Sequence, residues 1–101
     1  MADVVLGSGQ GKYAPRALVQ ALAEVLRNEG FSVVIEHPFP GGWSMRRHAR
    51  PDEGIFCIQI ELARRLIKSA DNPTTCSPEA VARLRSVMRD VAAAAQGALA
   101  T

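Results

Sequence analysis

The first third of the chain follows a strand–helix–strand pattern. Residues 3–6 are a short apolar run that ends at a glycine cluster, which is typical of a buried strand. Pro15 opens a helical pattern that ends near Gly30, a natural C-cap, and residues 31–35 are rich in β-branched residues, which favour a second strand. This βαβ unit predicts two parallel strands with a right-handed crossover. The apolar stripe of its helix consists of Leu18, Leu22, Val25 and Leu26.

Two more elements follow a loop of prolines and glycines at residues 37–42. Residues 54–62 alternate as a third strand, with its large apolar residues on one face and Cys57, Gln59 and Glu61 on the other. Residues 63–68 also fit a helical turn. A last helix is predicted to begin after Ser77, with its buried stripe at Val81, Leu84, Met88 and Val91.

The chain of 101 residues is long enough for one domain at most, and its 48% hydrophobic and 22% charged content is close to the globular average. We therefore predict a single domain over residues 1–101. Its predicted class is α/β, with a small, mostly parallel sheet of about three strands and two or three helices.

Charge and hydropathy exclude several classes of function. The net charge of +2 is too small to indicate nucleic-acid binding. Apolar runs are too short for a signal peptide or a membrane span, so we expect a cytoplasmic protein without a membrane partner. The two cysteines, Cys57 and Cys76, are expected to be packing residues and not a disulfide.

The glycine cluster at residues 7–12 lies between a strand and a helix, where phosphate-binding loops occur. Three residues separate Gly7 from Gly11, one fewer than a P-loop requires, and Tyr13 stands where Ser or Thr is needed. The glycine spacing also fails the dinucleotide fingerprint. We interpret the cluster as a flexible strand-to-helix turn.

Gln59 and Glu61 form the first candidate for chemistry. A period of two points both side chains to one face at the carboxyl end of the third strand, the edge where open α/β sheets bind ligands. An ionised Glu61 in a buried strand needs a partner or a metal. The alternative interpretation is that Glu61 begins a surface helix.

A basic cluster that follows Trp43 is the second candidate. The guanidinium groups of Arg46 and Arg47 suit carboxylate recognition, and His48 is a possible zinc ligand. The alternative is a solvated basic loop.

In this order and spacing, residues 38–51, 58–62 and 65–66 resemble the N-formylglutamate amidohydrolase family. Members of that family carry a Pro-aromatic-x-Gly-Gly-aromatic loop, an Arg-His segment that ends in Arg-Pro, and a Gln-Ile-Glu strand before an Arg-Leu pair. The resemblance implies the C-terminal half of a zinc-peptidase-like α/β/α domain. It also implies hydrolysis of N-formyl-L-glutamate to formate and glutamate, in histidine degradation.

The resemblance assigns roles to the candidate residues. Glu61 matches the family glutamate and is the expected catalytic proton shuttle, while Gln59, Arg46 and Arg47 are the expected substrate-binding residues. Zinc is the expected cofactor, with His48 as its ligand, although a gapless alignment places Arg47 at the family histidine. Family members are longer and supply further metal ligands, so we expect this chain to be inactive alone.

Two other hypotheses stay open at this point. One is a non-catalytic module that binds a small carboxylate or an N-acyl amino acid through Arg46, Arg47 and Gln59. The other is a structural half-domain that pairs with itself, as a homo-oligomer, or with a missing N-terminal half, because a three-stranded sheet leaves an edge and part of a face uncovered.

Overall fold

A computed structural model describes the protein over residues 2–36, 43–69, 71–72 and 74–100, so the predicted loop at 37–42 lies outside the described residues. These residues form three strands and three α-helices, with two short 3-10 turns at Pro51–Glu53 and Arg64–Leu66. In chain order the main elements are β1 (Val4–Gly7), α1 (Arg16–Asn28), β2 (Val33–Ile35), α2 (Trp43–His48), β3 (Gln59–Leu62) and α3 (Pro78–Leu99). None of the described helices is long and apolar enough to cross a membrane.

The predicted βαβ unit is confirmed. Strands β1 and β2 pair in parallel, with Val4 opposite Val33. Helix α1 ends in a Schellman motif, in which Gly30 takes a φ of +94° and its N–H donates to Arg27 O at 3.0 Å. The N–H of Phe31 donates to Leu26 O at 3.1 Å, and both of these side chains lie in the core. The glycine therefore fixes both the end of the helix and the start of the return strand.

The prediction of a mostly parallel sheet is wrong, because β3 runs antiparallel to β1 in a mixed sheet of order β2-β1-β3. Gln59 lies opposite Gly7 and Leu62 lies opposite Val4. A third parallel strand would need the chain to recross the sheet through a long connection. Helix α2 has six residues and spans about 9 Å, and its Met45 packs with Tyr13, which follows β1.

Strand β3 is shorter than the predicted strand over residues 54–62. Ile55 instead exchanges two backbone hydrogen bonds with Arg50, at 2.8 and 3.0 Å, across the 3-10 turn that Pro51 begins. The predicted helical turn after β3 is present as a single 3-10 turn.

One face of the sheet carries the core. Val4 and Leu6 are fully buried there against α1 and α3, whereas Val34 on the opposite face is 37% exposed. Helix α3 begins as predicted, since the Ser77 hydroxyl accepts from Ala80 N at 3.2 Å. Its buried stripe is Leu84, Val87 and Val91, with Val81 and Met88 only partly buried.

A smaller apolar cluster lies beside the carboxyl end of β1 and the amino end of β3. Tyr13, Met45 and Ala49 are buried in it, and Cys57 packs against them. The N–H of Cys57 also donates to Tyr13 O at 3.0 Å. The cluster therefore joins three parts of the chain: the glycine turn of residues 7–12, helix α2, and the segment that leads into β3. Cys76 is exposed, which contradicts the expectation that both thiols are packing residues.

Candidate functional site

The glycine turn after β1 closes around the carboxylate of Glu36, the residue that follows β2. The N–H of Ser8 donates to Glu36 Oε1 at 2.8 Å, and the Ser8 hydroxyl donates to the same oxygen. The N–H of Gln10 donates to Glu36 Oε2 at 3.1 Å. The turn therefore directs its donors at an internal carboxylate, as a P-loop directs them at a phosphate.

Three successive residues of this turn have left-handed backbone. Gly9, Gln10 and Gly11 take φ values of +65°, +58° and +90°. Gly9 is also required by space, because a Cβ at this position would lie 2.5 Å from Tyr13 Cε2. The N–H of Gly11 donates to the Ser8 hydroxyl at 3.0 Å, so the turn is hydrogen-bonded within itself as well as to Glu36.

Glu36 itself has a φ of +68°, a conformation that costs a side-chain-bearing residue about 1–2 kcal/mol. Its carboxylate hydrogen bonds to Ser8 and Gln10 hold it there. The sequence interpretation did not identify Glu36. The available signal was a polar residue directly after a buried strand, at the edge where α/β sheets bind ligands.

A cleft of about 490 Å³ opens at this edge of the sheet, between the carboxyl ends of β1 and β2 and the first turns of α1. Its lining contains charged, amide and apolar groups. The lining residues are Ser8, Gln10, Gly11, Arg16, Val19, Gln20, Ile35 and Glu36.

Gln59 and Glu61 lie together on the face of the sheet opposite the core, as predicted. Gln59 Nε2 donates to Glu61 Oε1 at 2.6 Å, and both side chains are half-buried. Glu61 is a strand residue, so the alternative that it begins a surface helix is wrong. The predicted position at the ligand-binding edge is corrected by the antiparallel strand. Gln59 lies opposite Gly7, at the end of β1, while Glu61 lies two residues further inward, opposite Val5.

Arg46, Arg47 and His48 form the exposed last turn of α2, where a basic loop was the alternative prediction. The other face of α2 is buried through Met45 and Ala49. Within the described part of the chain, no hydrogen bond or ion pair joins Arg46 or His48 to the Gln59–Glu61 pair.

Arg50 has a structural role next to this helix. Its Nη1 donates to Arg47 O at 3.0 Å and to Ala49 O at 2.7 Å, which satisfies carbonyl groups at the end of α2.

The described residues do not supply a complete zinc site. No three His, Cys, Asp or Glu side chains come together in residues 2–36, 43–69, 71–72 and 74–100. A catalytic zinc takes about three protein ligands, so His48 would need partners from outside these residues. Zinc binding by His48 therefore stays a prediction.

Comparison with known proteins gives the family. The profile of the family described as N-formylglutamate amidohydrolase matches residues 1–68, two thirds of the chain. The crystal structure of N-formylglutamate amidohydrolase from Ralstonia eutropha JMP134 has a similar fold, with a TM-score of 0.73 at 24% sequence identity. The match covers 98% of this chain and 34% of that protein, so the chain spans about a third of its length. No curated protein matches significantly. On the profile match, which includes both candidate clusters, the chain belongs to the N-formylglutamate amidohydrolase family.

Proposed function

We propose that this chain contributes substrate-binding and proton-transfer groups to an N-formylglutamate amidohydrolase-type site, which hydrolyses N-formyl-L-glutamate to formate and glutamate. The observation that carries the proposal is the Gln59–Glu61 hydrogen bond of 2.6 Å, in a strand within the matched residues 1–68. A carboxylate oriented by a neighbouring amide is the arrangement that a general base requires.

In this proposal Glu61 accepts a proton from the attacking water and returns it to the leaving amine. Gln59 Nε2 holds one carboxylate oxygen of Glu61, which leaves the other oxygen for the water. Half-burial limits the number of competing waters around the pair. The remaining N–H of the Gln59 amide is the group that positions the substrate carbonyl.

Arg46 and Arg47 are the proposed partners of the substrate carboxylates. Both lie on the exposed turn of α2, which the buried Met45 and Ala49 anchor to the glycine turn through Tyr13. A guanidinium group binds a carboxylate in a bidentate geometry. Two arginine side chains therefore suit a substrate with two carboxylates.

Membership in the family also supports further proposals for the whole enzyme. These are a zinc cofactor, a zinc-peptidase-like fold, a role in histidine degradation and a cytoplasmic location. The described residues lack a complete ligand set, so the remaining zinc ligands would come from outside these residues. The proposed roles of Glu61, Gln59, Arg46 and Arg47 do not depend on the metal. A missing N-terminal half or a second copy is the proposed source of these ligands.

The test measures formate release from N-formyl-L-glutamate and, by calorimetry, binding of the same compound. Wild-type chain is compared with Glu61→Gln and Arg46→Gln, and Glu79→Gln on the exposed start of α3 is the control. With added Zn²⁺, we expect Glu61→Gln to lower any turnover by about a hundredfold or more and to leave binding in place. Arg46→Gln is expected to weaken binding about fivefold or more.

The same measurements separate the alternatives. Binding without turnover at every zinc concentration would favour the non-catalytic module for small carboxylates. Absence of both binding and turnover would contradict the proposal.

A further inference from the structure

The cleft at the carboxyl edge carries opposite charges that do not pair with each other. Arg16 and Glu36 both line it, and no hydrogen bond or ion pair joins their side chains. In the described part of the chain, the Arg16 side chain has no such bond to any other residue either. The cleft thus offers one cationic and one anionic group to the same small volume of about 490 Å³.

Glu36 keeps capacity for one more donor. A carboxylate has about four lone-pair directions, two on each oxygen. Oε1 accepts from the N–H and the hydroxyl of Ser8, and Oε2 accepts from the N–H of Gln10 alone. One lone-pair direction on Oε2 therefore has no donor among the described residues. The Glu36 side chain lines the cleft and is held in place by its hydrogen bonds to the glycine turn.

The rest of the lining is suited to a small polar molecule with a short apolar part. Gln10 and Gln20 are the amide-bearing residues of the wall, and Val19 and Ile35 give it an apolar portion. Pockets of roughly 300–1,000 Å³ with a few placed polar groups are typical of small-molecule sites.

We propose that this cleft binds a zwitterionic α-amino acid, with its carboxylate on Arg16 and its ammonium group on Glu36. The fork of a guanidinium matches a carboxylate, and the free direction on Glu36 Oε2 accepts an ammonium hydrogen bond. The proposal uses none of the residues of the Gln59–Glu61 pair or of α2, so it does not depend on the proposed hydrolysis. N-acylation removes the ammonium group, and N-acyl amino acids are therefore expected to be poor ligands here.

Three matched compounds test the two charges separately. L-glutamine carries both charges, N-acetyl-L-glutamine lacks the ammonium group, and L-glutaminamide lacks the α-carboxylate. Each is titrated into the chain in the presence of a chelator, and the amide resonances of residues 8–20 are followed by NMR. We expect L-glutamine to shift these resonances and each of the other two to bind at least about fivefold more weakly.

Variants then locate the site. Arg16→Gln is expected to weaken L-glutamine binding about fivefold or more. This variant should then bind L-glutamine and L-glutaminamide with similar affinity. Glu36→Gln, with its folding checked by thermal melting, is expected to bind L-glutamine and N-acetyl-L-glutamine with similar affinity. Arg89→Gln, on the exposed face of α3, is the matched control and should leave binding unchanged.

Several results would overturn the proposal. Equal affinity for the three compounds would show that the cleft does not recognise the ammonium group or the α-carboxylate. Undiminished binding of L-glutamine by Arg16→Gln would place the ligand elsewhere. Loss of binding in Arg46→Gln with none in Arg16→Gln would move the ligand to α2. Failure of formate release or of N-formyl-L-glutamate binding tests the proposed hydrolysis alone, since neither measurement requires this cleft.

Discussion

Two carboxylates fasten the sheet at opposite edges, and their surroundings differ. At the amino edge, Asp3 Oδ2 accepts from Ser32 N at 2.8 Å and Oδ1 accepts from Arg65 Nη2 at 2.6 Å. At the carboxyl edge, the donors to Glu36 among the described residues are the neutral groups of Ser8 and Gln10. Asp3 is therefore neutralised by a cation, whereas the charge of Glu36 faces a cleft.

The difference separates a structural carboxylate from one that is available to a ligand. Both groups tie consecutive parts of the chain together through backbone N–H donors. Glu36 has in addition a left-handed backbone and a place in the cleft wall, and strained residues of this kind are common at functional sites. The carboxyl edge therefore presents a carboxylate that a ligand can reach, whereas the carboxylate at the amino edge is already paired with Arg65.

The largest expected effect comes from the turn that holds Glu36. Gly9→Ala places a methyl group into the ring of Tyr13 and also strains a residue at a φ of +65°. Overpacking and left-handed strain together are expected to lower the free energy of unfolding by about 2–4 kcal/mol. Urea denaturation measures this change.

Gly11→Ala is the matched control for that substitution. Its φ of +90° imposes backbone strain, but a Cβ there meets nothing within 4 Å. Its cost is expected to be about 1–2 kcal/mol. Equal destabilisation by the two variants would contradict the role given to the Gly9–Tyr13 contact.

A smaller effect is expected when the Glu36 carboxylate is removed. Glu36→Ala leaves the N–H groups of Ser8 and Gln10 without their acceptor, and a lost partner of this kind costs about 1–3 kcal/mol. The substitution keeps the strained φ of +68°, so nothing compensates for the loss. Thermal and urea unfolding measure the difference from wild type.

Glu36→Gly separates the hydrogen bonds from the backbone strain. This substitution removes the same acceptor, but glycine adopts a positive φ without strain. The Glu36→Gly variant is therefore expected to be about 1 kcal/mol more stable than Glu36→Ala. If Glu36→Ala were as stable as the wild type, the carboxylate would not be what holds the turn.

The local parts of the fold were predictable from sequence, and the direction of β3 was not. The βαβ unit and the Ser77 cap depend on residues close together in the chain, and both are confirmed. A period of two places Gln59 and Glu61 on one face but is identical for parallel and antiparallel strands. The direction of β3 depends on where residues 37–58 run, which no short pattern determines.

The candidate site shows the same limit. The Gln59–Glu61 pair was found because its members are two residues apart. The contact between Ser8 and Glu36 spans 28 residues, so it exists only once β1 and β2 are paired. The spacing of the glycine cluster does not fit a P-loop, but spacing within the cluster gives no means to identify the carboxylate that the turn binds.

The smallest expected effect is at Asp3, and it depends on pH. The N–H of Ser32, and then Arg65, lower the pKa of the Asp3 carboxyl below its ordinary value of 3.8. A lowered pKa stabilises the fold above the ordinary value, and this stabilisation is lost as the pH falls through the folded-state pKa. Asp3→Asn should therefore destabilise the protein at pH 7, and its difference from wild type should shrink as the pH falls through the folded-state pKa of Asp3.

Arg65→Gln refines this prediction, because it removes the pairing of Arg65 with Asp3 and keeps the contribution of Ser32 to the lowered pKa of Asp3. Since Arg65 is 49% exposed, solvent and salt screen its pairing with Asp3, and the hydrogen bond from Ser32 N stays in place. We expect Arg65→Gln to have a smaller effect than Asp3→Asn at pH 7, and 1 M NaCl to reduce it further. Urea midpoints at pH 7 and 2.5 provide the comparison. A gap between wild type and Asp3→Asn that is equal at both pH values would show that the Asp3 charge does not stabilise the amino edge.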